Sequence, residues 1–93
     1  MIHMPDVPEG LIVVGGGTGH LLASWESVAL DDRYRVYKKV VGVDNEFIFA
    51  ATVTDTESNL NTFTPGQLVR LRVTAVNDAD ESLPSDTVEQ TVS

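Results

Sequence analysis

Between Leu68 and Asn77 the chain reads LVRLRVTAVN, with Val69, Leu71, Val73 and Ala75 alternating with Arg70, Arg72 and Thr74. A side-chain period of two puts one set on a buried face and the other on a wet one, so this stretch predicts a half-buried β-strand. No segment sustains the 3.6-residue period of a helix. The remaining apolar runs are short and separated by turn clusters, which predicts an all-β chain. Leu11–Val14, after Pro8, reads as a first strand, and proline at its head suits a strand start or an edge. His20–Glu26 reads as the second, with Leu21, Ala23 and Trp25 on one face. Arg33–Val41 reads as the third, Glu46–Val53 as the fourth, and a short fifth falls around Leu60. Leu68–Asn77 is the sixth and Asp86–Val92 the last. Seven short strands at this spacing predict a sandwich of two sheets, each with one solvated face.

Ninety-three residues make one domain, large enough to bury a core without cross-links. There is no cysteine, which removes disulfides, thiol catalysis and cysteine-ligated zinc. The formal net charge of −8 makes nucleic acid and an anionic membrane surface poor partners. No apolar run approaches the ~20 residues that span a bilayer, and the N-terminus does not read as a signal peptide. Residues 1–6 read as a tail, its MIHM opening partly of expression origin, and 7–93 as the domain.

The stretch Phe63–Ser85, FTPGQLVRLRVTAVNDADESLPS, resembles the second half of a fibronectin type III domain. The likeness runs from Val7 to Val92. Pro8 and Leu11 fall at that family's opening proline and first-strand core residue, and Trp25 at its second-strand tryptophan. Tyr34 and Val36 match its third-strand pair, Leu60 and Phe63 the approach to the Pro65-Gly66 turn, and Asn77, Glu81-Ser82 and Pro84-Ser85 the exit loop. The resemblance implies a seven-stranded immunoglobulin-like β-sandwich with sheets of three and four strands, and the chain ends at opposite poles. It also implies a non-catalytic module of a larger, bacterial, extracellular or cell-surface protein, the cytoplasm remaining open. Neighbouring domains would be its partners, and the isolated domain a monomer. One position departs. The family carries a tyrosine where this chain has Val69, and valine cannot make that residue's corner hydrogen bond.

Catalytic chemistry finds few parts. His3 and His20 sit in no metal-binding pattern, and no serine lies in a nucleophile elbow. Gly15-Gly16-Gly17-Thr18-Gly19 precedes a strand and has no nearby lysine, so it reads as a loop and not a phosphate cradle. Asn77–Ser82 lacks the spacing of a calcium loop. No cofactor and no metal are expected.

Two surface features stand out. All six basic residues, Arg33, Arg35, Lys38, Lys39, Arg70 and Arg72, lie on the third and sixth strands. All but Lys38 point outward by alternation, giving a basic stripe that includes Tyr37. Either the stripe recognises an anionic partner or it is paired across strands with Glu46 and Glu89. The second feature is the pole formed by Ser27–Asp32, Thr54–Ser58 and Asn77–Ser85. There Val28, Leu30 and Leu83 form either a plug or a small apolar patch rimmed by Asp31, Asp32, Asp78, Asp80 and Glu81. The reading is a spacer, assembly or protein-interaction module. The alternative is a ligand-binding module, accessory to a carbohydrate-active enzyme or binding an anionic partner through the stripe.

Overall fold

The computed structural model describes residues 5–29 and 31–93. Seven strands are present among them: β1 (Ile12–Gly15), β2 (Leu21–Ser24), β3 (Arg33–Val40), β4 (Ile48–Val53), β5 (Glu57–Leu60), β6 (Leu68–Val76) and β7 (Val88–Thr91). They form two antiparallel sheets, of order β1-β2-β5 and β4-β3-β6-β7. The expected strands are all there, several trimmed at their ends. Trp25 follows β2 and does not belong to it, although its amide still donates to the Thr56 carbonyl and so extends the β2–β5 ladder by one step.

The two inner faces supply the core. Leu21 and Ala23 of β2 face Tyr34 and Val36 of β3 and Val69, Leu71, Val73 and Ala75 of β6, all essentially without solvent exposure. Trp25 closes the pole of this core, its ring edge-on to Tyr34 at a centroid distance of 5.4 Å. Such a pair adds about 0.5–1.5 kcal/mol beyond the area it buries. The Tyr34 hydroxyl accepts a hydrogen bond from the Val28 amide at 3.0 Å, so one side chain fills the core and fixes the β2–β3 loop. Burial pushes the Tyr34 pKa up, and the neighbouring Asp31 carboxylate pushes it the same way, while the Val28 amide works against them.

Val69, where the resemblance predicts a tyrosine, is completely buried. The corner before β6 is held by other bonds. The Gln67 side-chain oxygen accepts the Thr64 amide at 2.9 Å, and the Gly66 amide donates to Val92 at 2.8 Å. Phe63, itself in the core, donates its amide to Gly19. Gly19 has φ +75°, and a Cβ there would stand 2.9 Å from the Phe63 carbonyl oxygen. The glycine run is thus a turn whose last member must lack a side chain.

The two chain ends leave from opposite poles. The Glu9 carbonyl accepts the Glu26 amide at 2.9 Å, beside the β2–β3 loop. The Ser93 carbonyl accepts the Gly19 amide at 2.9 Å, at the far end.

Candidate functional site

The four-stranded sheet carries the basic residues, and its register decides what they can do. Arg35 stands opposite Thr74, Tyr37 opposite Arg72 and Lys39 opposite Arg70 on the outer face. Lys39 and Arg70, like charges directly opposite one another, would repel unless acids or rings intervene. They do, but only partly as the sequence led us to expect.

Arg70 pairs with Glu89 of β7 at 3.0 Å, as anticipated. Both side chains are well exposed, so the pair contributes no more than a few tenths of a kcal/mol. Arg35 pairs with Glu81, not with either expected acid, at 3.1 Å. Arg72 finds a ring, not Glu46. Its guanidinium reaches across β3 and lies 4.0 Å from the centroid of Phe47. Covered on that side, its Nε is buried and has no hydrogen-bond partner among the described residues. Lys38 faces inward by register and turns to Asp44, 3.1 Å away. Asp44 also accepts the Val40 amide at 2.9 Å. That amide bond, followed by Lys38, holds the Asp44 carboxyl below its ordinary value.

Glu81 is the centre of this face. Its Oε2 accepts from Tyr37 Oη at 2.5 Å and from Thr74 Oγ1 at 2.5 Å, while Arg35 binds Oε1. Burial is the strongest single influence on this carboxyl and acts to raise its pKa. The hydrogen bonds from Thr74 and Tyr37 and the charge of Arg35 together outweigh it, so the pKa lies below the ordinary value. Burial, and after it the same carboxylate, raises the Tyr37 pKa.

Glu81 reaches strands it lies far from in sequence because the β6–β7 loop folds back along β6. β7 pairs with β6 only as far as Leu71. Beyond it, the Val73 amide donates to Ser85 Oγ at 3.0 Å and the Ala75 amide to Ser82 Oγ at 2.9 Å. The Ser85 and Ser82 amides return to the Val73 and Ala75 carbonyls. The Ser-x-Pro-Ser signature is therefore a hydrogen-bonding splint that stands in for a strand where β7 has ended. Its two serines are buried.

The remaining predicted residues scatter. Asp80 caps its own loop, accepting the Glu81 amide at 2.7 Å, and Asp78 is exposed. Asp31 is half-buried beside Tyr34. Val28 packs against the core and so acts as a plug, whereas Leu83 is 67% exposed. Leu30 lies outside the described residues. The Arg33 side chain neither hydrogen-bonds nor ion-pairs with a described residue. The face thus joins Arg35, Arg72 and Glu81 with Tyr37, Thr74 and Phe47. The last was absent from the sequence-derived site, and no sequence signal pointed to it.

Among the described residues no group of three or more His, Asp or Glu could hold a metal ion. A cleft of about 430 Å³ runs between the N-terminal segment around Pro8 and the loop at Pro84–Asp86, but it presents no convergent chemistry.

No family model and no curated protein matches the sequence. Solved structures do. The chain superposes on the structure titled FN3tt with a TM-score of 0.85 at 23% identity, covering 97% of this chain and 96% of that one. The FN5 domain of Drosophila Lar gives 0.81 at 18% identity, covering 96% of this chain and 97% of that one. Domains A168–A170 of titin give 0.84 at 20% identity, and there the match covers 97% of this chain but 33% of the other. With its strand order, its core capped by a tryptophan and these superpositions over nearly the whole chain, the protein has the fibronectin type III fold.

Proposed function

We propose that this chain is a non-catalytic spacer and assembly module of a larger protein. The observation that carries the reading is the pinning of the two ends at opposite poles. Glu9 is tied to Glu26 at one, and Val92 and Ser93 are tied to Gly66 and Gly19 at the other. A chain entering and leaving in this way is carried along the long dimension of a body measuring 46 × 25 × 18 Å. The polar networks serve the same end. Glu81, Ser82 and Ser85 spend their hydrogen bonds on holding a loop to a sheet, and none presents an activated nucleophile beside a base. The matched titin structure holds this fold as one part of a longer, multidomain chain, which supports a multidomain setting.

The test is a replacement in the protein that carries the module. Deleting it should impair function, and substituting an unrelated domain of the same fold and length should restore it. Harmless deletion would remove the spacer role. Failure of the substitute would assign the function to this module's own surface.

A further inference from the structure

Where the β6–β7 loop folds back along β6 it raises a rim, and a bowl of about 390 Å³ lies between that rim and β3. Tyr37, Arg72, Asp80, Glu81 and Pro84 are among the residues that line it. The Tyr37 ring and the exposed Pro84 supply apolar surface. The charged groups differ in what they already bind. Glu81 is fully engaged, since Arg35, Tyr37 and Thr74 take both of its oxygens. Arg72 and Asp80 are not engaged in this way.

The Arg72 guanidinium rests on the Phe47 ring, which holds it in place but accepts no ordinary hydrogen bond. None of its N–H groups bonds to a described residue, and no described carboxylate pairs with it. A half-buried guanidinium without an acceptor calls for an explanation, and its planar fork matches a carboxylate. Asp80 is its counterpart at the other end of the bowl. Arg72 lies within β6, whereas Asp80 stands beyond the end of that strand, its carbonyl accepting the Asn77 amide. Its Oδ1 accepts the Glu81 amide, but no described cation pairs with its carboxylate. A simple anion on Arg72 would leave Asp80 bare, and a simple cation on Asp80 would leave Arg72 bare. A molecule with both charges, set apart on an apolar chain, complements both ends.

We propose that this bowl binds a zwitterion of the ω-amino-acid type. Its carboxylate pairs with Arg72, its ammonium group pairs with Asp80, and its methylene chain lies over Tyr37 and Pro84. Arg35 keeps Glu81 neutralised beneath it, so the middle of the bowl adds no unpaired charge. Both ion pairs remain open to water, so the affinity is in the millimolar range. The proposal concerns the outer face of the four-stranded sheet and does not depend on how the chain ends are pinned.

The test titrates the whole ¹⁵N-labelled chain with 6-aminohexanoate, and separately with hexanoate, hexylamine and sodium chloride, all at matched ionic strength. The zwitterion should saturably shift the Arg72 Nε–H resonance and the amides of Asp80 and Glu81. Hexanoate and hexylamine should each bind several-fold more weakly, because each leaves one end unpaired. Arg72→Gln and Asp80→Asn should each bring the zwitterion down to the level of a singly charged probe. Both variants should keep a native spectrum, since the Arg72 side chain gives the fold no hydrogen bond and asparagine retains the oxygen that accepts the Glu81 amide. Absence of a saturable shift up to tens of millimolar, or shifts that sodium chloride reproduces, would overturn the proposal. So would equal binding of either singly charged probe, or unchanged binding in either variant. None of these results bears on the replacement experiment, so the spacer reading stands or falls separately.

Discussion

The Tyr37 hydroxyl donates to Glu81 Oε2 at 2.5 Å, across 44 positions of sequence, and so fastens the β6–β7 loop to the outer face of β3. With Thr74 and Arg35 on the same carboxylate, that bond makes Glu81 the main polar anchor of the sheet.

Glu81→Gln should therefore destabilise the fold by about 1–2 kcal/mol at neutral pH, through loss of charge-assisted hydrogen bonds. The folded pKa of Glu81 lies below its ordinary value of 4.5. Its contribution is complete above that value and is lost as pH falls through the lower folded pKa. Denaturant midpoints measured from pH 7 down to 2 should show a smaller acid-side loss in the glutamine variant than in the parent. Equal slopes would show that the carboxylate is not the anchor described.

Trp25→Ala should cost about 3–5 kcal/mol, since it empties the pole of the core. The indole nitrogen is buried with no hydrogen-bond partner among the described residues, so the folded parent should emit at short wavelength and shift to the red on unfolding. Emission typical of water-exposed tryptophan in the folded state would contradict the placement.

Gly19→Ala should cost about 1–3 kcal/mol, combining a left-handed backbone with a new Cβ against the Phe63 carbonyl. Gly42→Ala provides the control. It has a similar φ of +85° but nothing within 4 Å of the added carbon, so the difference between the two variants isolates the close approach. Thermal midpoints that match would indicate that the corner yields freely.

Val69→Tyr should lower stability by about 1–3 kcal/mol, as overpacking does. Val69 is fully buried, and the corner it would reach is already bonded through Gln67 and Thr64. A raised midpoint would show that room for the ring exists and that the missing tyrosine was a real deficit.

How far the sequence could be read depended on the range of the interaction. The alternation of Val69, Leu71, Val73 and Ala75 sufficed to place β6 and its inward face, because strand geometry alone sorts those side chains. The burial of Trp25 against Tyr34 followed from their shared inward parity. The stripe did not reduce to parity. Arg35 and Glu81 are 46 positions apart, and they meet only because Ser82 and Ser85 fold the loop back along β6. Arg72 and Phe47 sit on either side of β3, so their contact depends on a side chain crossing a neighbouring strand. Val28 on a polar loop could be a plug or a patch, and only the Tyr34 hydroxyl beneath it made it a plug.

Glu9 is tied at one pole of the sandwich and Ser93 at the other. The absence of native cysteine allows Asp6→Cys and Ser93→Cys to be spin-labelled as a unique pair. Pulsed electron–electron distance measurement should give a single narrow distribution of the order of the 46 Å long dimension. A broad distribution, or one centred near the short dimensions, would contradict it.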